Sequence, residues 1–210
     1  MRSLVFMLIL TIFSSLCKAQ SNDTIALPSP DKTGGLPLMK ALNERHSSRN
    51  FVNGELSLQQ LSDLLWAAFG INRPDGRRTA PSSRNYQEVD IYVATRKGVF
   101  LYNAPGNNLI QINSEDMRSA TGTQGYVKDA AVDLVYVLDK SRVPGDNDEE
   151  KLVSAAISAG AMVQNVYLYC ASEALGCVVR GSFDGEQLAG VLKLNKQQEI
   201  IITQSAGPVK

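Results

Sequence analysis

Histidine is nearly absent from this sequence, since His46 is the only one among 210 residues. A metal site built from several histidines is therefore excluded, and any serine or cysteine triad would have to use His46 as its base. The G-x-S-x-G pattern of many hydrolases and the G-x-G-x-x-G pattern of dinucleotide-binding domains are also missing. Hydrolysis and Rossmann-type cofactor binding thus have little support.

The sequence has no excess of charge, because 21 Lys and Arg residues balance 21 Asp and Glu residues, and it has no long basic run. We therefore expect no nucleic-acid partner. Cysteine is scarce as well, with Cys17, Cys170 and Cys177. If Cys170 and Cys177 share one helix, they lie ~10 Å apart along its axis, beyond the ~7 Å that a disulfide allows, which predicts free thiols.

An apolar run at residues 4–13 follows Met1 and Arg2 and precedes small residues that end at Ala19. This is the layout of a secretory signal peptide at residues 1–19, and the run is too short for a membrane-spanning helix of ~20 residues. We therefore expect an exported protein, periplasmic or secreted. Its mature chain would have 19 basic and 21 acidic residues and no integral membrane segment. A lipidated Cys17 and a buried N-terminal helix are the alternatives.

The remaining sequence divides into an arm and one domain. Residues 20–37 are rich in proline, glycine and polar residues, which predicts a linker or an extended arm. Residues 38–210 alternate between helical and strand periodicities, which predicts an α+β layered domain. Helices are expected at 39–44, 58–69, 149–175 and 185–191, and strands at 90–95, 99–102, 109–112, 130–138, 177–179 and 199–203. Ser57 and Gln60 form a capping-box pattern at the second helix, and Gly70 is the expected residue after its end.

Three polar segments are candidates for a binding site. The first, residues 45–49, reads Arg-His-Ser-Ser-Arg, and its guanidinium and hydroxyl groups suit a phosphate. The same run is also compatible with an ordinary solvated surface. The second is the loop at residues 81–87, dense in hydrogen-bonding side chains that could equally bond their own backbone. The third is the glycine-containing stretch at residues 174–184, which is also compatible with a helix stop followed by a short strand.

Five segments in this order resemble the FMN-dependent nitroreductase family, and most closely its SagB-type dehydrogenase branch. They are residues 45–49, 65–73, 81–87, 164–168 and 176–181, and the resemblance runs from about Ala41 to the end of the chain. It implies a nitroreductase-like FMN-binding fold, in which helices flank a central, mainly antiparallel sheet. It also implies a homodimer with flavin at the interface, a role that suits the long apolar helix.

The resemblance also implies roles for individual residues. Arg45 and Ser47 would hold the FMN phosphate, His46 would touch the ribityl chain or the ring, and Arg49 would lie near the flavin N1/O2 edge. The ring's polar edge would be bound by Ser83, Asn85 and Gln87, whereas the backbone close to flavin N5 would come from Val179, Arg180 and Gly181. Two positions depart from the family pattern: many relatives have an acidic or neutral residue at Arg180, and only Lys210 stands where relatives often end in a basic pair.

The activity implied by the resemblance is a ping-pong transfer of hydride through FMN. The donor would be NAD(P)H, and the acceptor an electron-poor small molecule such as a nitro compound, a quinone or an azoline. No side chain is expected to act as a nucleophile, because the flavin carries the chemistry. A non-catalytic flavin-binding module or redox partner subunit is the main alternative, and a flavin-free structural dimer is a third possibility.

Overall fold

The computed structural model describes residues 23–210, so the predicted signal peptide lies outside the described residues. The described chain contains seven strands and four α-helices. The helices are α1 (Leu38–Glu44), α2 (Leu58–Phe69), α3 (Asp148–Ser172) and α4 (Gly185–Leu192). The strands are β1 (Thr24–Ala26), β2 (Val89–Thr95), β3 (Gly98–Asn103), β4 (Asn108–Asn113), β5 (Val132–Asp139), β6 (Gly176–Arg180) and β7 (Gln198–Gly207).

All seven strands belong to one sheet, with the order β1-β4-β3-β2-β5-β7-β6. Every pair of neighbouring strands is antiparallel. Strand β5 lies inside the sheet and is buried along nearly its whole length, as its mostly apolar sequence predicts. The predicted α+β arrangement is confirmed. Strand β6 lies at one edge, and this position makes its outer side available to other segments.

The sheet separates two layers of core because successive strand residues point to opposite faces. On one face Leu134 and Tyr136 of β5 are fully buried in the cluster that includes α2 and α3. On the other face Val135 and Val137 are buried in a smaller cluster with α4. The two faces are therefore distinct environments, and a residue's position along β5 or β6 decides which of them its side chain enters.

Helix α2 begins and ends as the sequence predicts. The Ser57 side chain accepts a hydrogen bond from the Gln60 amide, and the Gln60 side chain accepts one from the Ser57 amide, which completes the capping box. Gly70 closes the helix in an extended conformation, with φ of −73° and ψ of 161°. The glycine is needed there for space, since a Cβ atom at this position would lie 2.3 Å from Cδ1 of Trp66.

Helix α3 ends at Ser172, earlier than predicted, and this changes the setting of the cysteines. Cys170 lies on α3, but Cys177 lies on β6, so the premise of one shared helix is wrong. Both are nevertheless free and buried, which confirms the predicted free thiols. A hydrogen bond with Cys177, together with burial, raises the pKa of the Cys170 thiol well above its usual value.

Two further features concern the arm and the long helix. Strand β1, which the sequence pattern does not predict, lies within the expected linker or arm and pairs with β4.

Helix α3 is long and apolar enough to satisfy a membrane-span test based on length and hydropathy. Residues such as Ala155, Met162 and Val166 are fully buried on that helix, and they pack against the sheet. The side of α3 that carries these residues belongs to the core, whereas its exposed side, with Val153 and Ile157, is apolar as well.

Candidate functional site

The segment at residues 45–49 leaves α1 in an extended conformation and lies largely on the surface. Arg45 is partly buried, whereas His46, Ser47 and Arg49 are exposed. Within residues 23–210, neither Arg45 nor Arg49 has an acidic partner within ion-pair distance. Two uncompensated guanidinium groups therefore flank a serine hydroxyl, and this combination favours an anionic ligand.

The predicted site residues Arg45, Ser47 and Val179 meet around one side chain, that of Tyr167 on α3. The Tyr167 hydroxyl lies 2.8 Å from Oγ of Ser47 and accepts a hydrogen bond of 2.9 Å from the backbone amide of Val179. The Arg45 guanidinium carbon lies 5.4 Å from the centre of the Tyr167 ring. The structure thus brings the first and the third polar segments together, although more than a hundred residues separate them in the sequence.

Backbone contacts fix the segment at residues 45–49 to the edge of the sheet. The amide of Ser48 donates a 2.9 Å hydrogen bond to the carbonyl of Cys177 on β6. The approach requires the glycine that precedes Cys177, because a Cβ atom on Gly176 would lie 3.1 Å from Cβ of Ser48 and 2.0 Å from Cγ1 of Val209. The C-terminal tail lies alongside, and the Lys210 amide donates a 3.3 Å bond to the Asn50 carbonyl.

His46 and Gly181, in the first and third polar segments, are both exposed. Nδ1 of His46 lies 2.8 Å from the carbonyl oxygen of Glu44, which suits an Nδ1–H donor and leaves Nε2 free for another contact. A Cβ atom placed on Gly181 would meet nothing within 4 Å, so the backbone there has open space beside it. A planar group could therefore approach the backbone closely at Gly181.

The side chain of Arg180 lies on the opposite face of the sheet from Tyr167. Its NH2 group forms a 2.8 Å ion pair with Asp133, and its NH1 group donates a 2.8 Å bond to the carbonyl of Thr121. Both side chains of the pair are almost completely buried. Burial lowers the pKa of Arg180 and raises the pKa of Asp133 to about 7, although Arg180 opposes the second shift. Only the main-chain atoms of Arg180 could therefore contact a ligand near Tyr167, because its side chain is bound to Asp133 and Thr121.

The loop at residues 81–87 lies beside the first half of α3. Ser82 and Ser83 line an open cleft of about 790 Å³ together with α3 residues such as Ile157 and Ser158. Ser158 precedes Tyr167 by nine residues in the sequence, which places the two roughly 14 Å apart along the helix axis. The loop and the Tyr167 cluster are therefore separate parts of the surface of α3.

Hydrogen bonds within the loop give its amide groups a definite direction. Nε of Arg78 donates a 2.8 Å bond to Oε1 of Gln87, and Nε2 of Gln87 donates a 3.2 Å bond to Oδ1 of Asn85. Asn85 is consequently left with its NH2 group as a donor for another partner. Arg84, Asn85 and Gln87 all have positive φ values, between 45° and 59°. Left-handed backbone at non-glycine residues is strained and is often found at functional sites.

Sequence reasoning missed two residues that organise these groups. Tyr167 stands in the segment at residues 164–168 that carries the family resemblance, but the sequence assigns its side chain no role, because an aromatic residue in an apolar helical pattern predicts core packing. Arg78 lies in a polar loop, and no motif in the sequence distinguishes it from the neighbouring arginines. The described residues 23–210 contain no group of three or more His, Cys, Asp or Glu side chains arranged to hold a metal ion.

Comparisons with known proteins identify relatives of this chain. The nitroreductase family model matches residues 42–207. A solved structure described as a nitroreductase of Ralstonia eutropha is 43% identical, with a TM-score of 0.85 and coverage of 91% of each chain. A relative from Methanocaldococcus jannaschii, also described as a nitroreductase, is 27% identical over 184 residues, which cover 83% of this chain and 92% of the relative.

A more distant structure shares the fold. It is the NADPH:FMN oxidoreductase of Vibrio harveyi in complex with NAD⁺, which is 22% identical, has a TM-score of 0.63, and is matched over 82% of this chain and 69% of its own. Since the family model covers most of the chain, the protein belongs to the nitroreductase family. It is accordingly an enzyme of the flavin-dependent oxidoreductase class.

Proposed function

We propose that this protein is an FMN-dependent oxidoreductase that passes hydride from NAD(P)H to an electron-poor small molecule by a ping-pong mechanism. The observation that carries the proposal is the pair of guanidinium groups, without acidic partners in the described chain, that flank the Ser47 hydroxyl, which the Tyr167 hydroxyl links to Val179 on β6. Nitro compounds, quinones and azoline-type rings are the acceptor classes. The five motifs named above favour the SagB-type branch within the family.

The residues present suit FMN at both ends of the molecule. Arg45 and Ser47 offer a cation and a hydroxyl to the dianionic phosphate. Lys210 lies close to the same segment, because its amide bonds to Asn50. At the other end, the free NH2 group of Asn85 suits a ring carbonyl. Ser83 lines the cleft beside α3.

Bound FMN would supply the two-electron chemistry, and the side chains would bind and orient it. Arg49, as a cation near the pyrimidine edge, would stabilise negative charge on the reduced ring. The positive charges of Arg45 and Arg49 would also attract the phosphates of a nicotinamide donor. No histidine, cysteine or serine of the described chain is required as a nucleophile.

We propose further that the enzyme is a homodimer. The exposed side of α3 presents apolar or small residues, and Ile157 and Val153 are 72% and 56% exposed. Leu38 and Met39 on α1 are also strongly exposed, and α1 packs on α3. A second copy that covers these helices would bury this apolar surface and close the cleft beside Ser82 and Ser83.

Export of the protein remains a proposal that rests on the signal-peptide pattern at residues 1–19. N-terminal sequencing of the protein from a cell fraction outside the cytoplasm should find Gln20 first. A chain that stays in the cytoplasm with Met1 at its start would contradict the proposal.

A flavin titration followed by reduction tests the proposed activity. The purified chain, starting at Gln20, should bind FMN, and NADH or NADPH should bleach the visible absorbance of the oxidised flavin. Addition of a quinone or a nitroaromatic compound should restore that absorbance. A chain that binds no FMN contradicts the proposal, whereas bound FMN that neither nicotinamide reduces favours a non-catalytic flavin-binding module.

The Arg45→Ala variant provides the matched test of the phosphate-binding segment. It should weaken FMN binding by roughly tenfold or more, because a charge-assisted hydrogen bond contributes about 1.5–3 kcal/mol. Arg73→Ala is the control, since Arg73 is an exposed arginine whose side chain, within residues 23–210, bonds only Asn72 and Arg78. Equal FMN affinities in Arg45→Ala and Arg73→Ala would show that residues 45–49 do not bind the FMN phosphate.

A further inference from the structure

The Tyr167 hydroxyl links three elements that are far apart in the sequence. Tyr167 lies on α3 and is only 6% exposed. Its hydroxyl contacts Ser47, which follows α1, and Val179, which lies on β6. Its ring lies beside the Arg45 guanidinium. One buried side chain therefore contacts a residue from each of the two segments that form the cluster.

The chemistry of the donors gives this chain of hydrogen bonds a direction. The Val179 amide can only donate, so the Tyr167 oxygen accepts that bond with a lone pair. The phenol has one proton left, and a phenol donates more strongly than an aliphatic alcohol. The favoured arrangement therefore has Tyr167 donating to Oγ of Ser47 across the 2.8 Å contact. The Ser47 proton is then free to point towards the exposed side of the segment.

The ring of Tyr167 has a second effect, on Arg45. A guanidinium group beside an aromatic ring is held by the cation–π interaction without losing its net charge. An acidic partner would hold Arg45 equally well but would neutralise it. The 5.4 Å separation from the Tyr167 ring thus positions Arg45 while its charge stays available to an anion.

We propose that Tyr167 is a positioning residue for the anionic end of the cofactor. It acts through Ser47 and Arg45, with its hydroxyl directing the Ser47 proton outwards and its ring holding the guanidinium beside it. The bond from Val179 ties the same arrangement to the backbone of β6. This inference rests on the proposed FMN site, and it assigns Tyr167 a role in recognising the phosphate rather than the ring.

The test compares FMN with riboflavin, which lacks the phosphate, in the wild-type chain and in Tyr167→Phe. Phenylalanine keeps the ring beside Arg45 and removes only the hydroxyl. The variant should bind FMN roughly twofold to tenfold more weakly, in the range of one lost hydrogen bond between uncharged groups. Its affinity for riboflavin should stay unchanged. Dissociation constants follow from the quenching of flavin fluorescence.

Tyr169→Phe is the matched control, because it removes a phenol from the same helix. The Tyr169 hydroxyl donates to the Gln60 carbonyl, away from residues 45–49. This variant should keep the wild-type ratio of FMN affinity to riboflavin affinity. Tyr167→Leu, which also removes the ring, should lower that ratio further than Tyr167→Phe.

The outcomes separate this inference from the proposed function. If the wild-type chain binds no FMN, the proposed function fails. If it binds FMN and Tyr167→Phe keeps the affinity ratio, or weakens both flavins equally, only the role of Tyr167 fails. Should Tyr167→Phe not fold, Ser47→Ala replaces it, since the inference requires that the loss of the Ser47 hydroxyl lowers the same ratio. An unchanged ratio in Ser47→Ala would overturn it.

Discussion

The buried ion pair between Arg180 and Asp133 shows how a single residue can have a structural role beside a functional segment. Asp133 accepts bonds from Arg180 and from the Ser205 hydroxyl, yet one of its carboxylate oxygens has no partner within the described chain. Burial without full hydrogen bonding disfavours the charged carboxylate. The pair consequently anchors β6 to β5 but makes the anchor sensitive to pH.

We predict that the Asp133→Asn variant reveals this sensitivity. The pKa of Asp133 in the folded chain is raised to about 7 from a usual value of 3.8. Protonation therefore favours the folded state, and the stability from this group is lost as the pH rises from about 4 to about 7. The wild-type chain's free energy of unfolding, relative to Asp133→Asn, should fall across that range with a slope of at most ~1.4 kcal/mol per pH unit. Urea denaturation at several pH values measures it.

Asp116→Asn is the control for this prediction. A hydrogen bond from Arg118 lowers the pKa of Asp116, so its carboxyl group titrates below the range of interest. The stability difference between the wild-type chain and Asp116→Asn should stay nearly constant from about pH 4.5 to 7. If the advantage of the wild-type chain over Asp133→Asn grew with pH instead, Arg180 would be holding the Asp133 carboxylate ionised against its burial.

The predictability of single residues from the sequence depended on whether their role was local. The segment at residues 45–49 could be found, because its guanidinium and hydroxyl groups lie close together in the chain. The partner of Arg180 could not, since Asp133 is distant in sequence and its contact depends on the register of β5, β7 and β6. Tyr167 could not be predicted for a related reason: its hydroxyl bonds Ser47 and Val179 only when α3, the segment after α1 and β6 come together in the fold.

At the scale of elements, helix α2 shows how a local signal controls a boundary. The capping box of Ser57 and Gln60 satisfies two amide groups that would otherwise lack partners in the helix. Helix α2 carries Leu64 and Leu65, both fully buried in the main core. Its first turn therefore affects the stability of the whole domain.

We predict that Ser57→Ala lowers the free energy of unfolding by ~1 kcal/mol, the usual effect of losing an N-cap side chain. Urea denaturation of the purified chain measures the change. Ser114→Ala is the matched control, because Ser114 is exposed, lies outside the helices and makes no side-chain hydrogen bond within the described chain. A loss in Ser57→Ala no larger than in this control would show that the capping box contributes little here.

Elements with a strong period were predicted well, and those that depend on pairing were not. Strands β2, β3, β4 and β5 were all located, because alternating or continuous apolar residues mark them. Strand β1 was missed, since its three residues become a strand only by pairing with β4. Strand β7 extends to Gly207, beyond the predicted end at 203, because its polar residues Gln204 and Ser205 are buried by bonds to Tyr136 and Asp133.

At the scale of the whole molecule, the exposed apolar side of α3 is the feature that the single chain leaves unexplained. Ile157 is the most exposed large apolar residue of that helix. It also lines the cleft beside Ser82 and Ser83. The proposed homodimer would bury this side chain and would complete a cofactor site at the same place.

We predict that Ile157→Lys prevents dimerisation, because a lysine ammonium would have to lose its hydration at an apolar interface. Light scattering after gel filtration should give the mass of one chain for the variant and of two chains for the wild-type protein. Leu58→Lys is the control, since Leu58 is also an exposed large apolar residue, 49% exposed against 72% for Ile157, but lies at the start of α2. A variant Ile157→Lys that still has the mass of two chains would exclude this face as the interface.

Trp66 is the only tryptophan in the sequence, and its position against Gly70 makes it a natural spectroscopic probe. Its indole Nε1 donates a 3.1 Å bond to the carbonyl of Ile71, and the Lys32 ammonium of the arm lies 5.5 Å from the centre of its ring. Detachment of the arm from α2 should therefore change the fluorescence of Trp66. A shift of the emission maximum below the unfolding temperature would reveal release of the arm while the sheet is still intact.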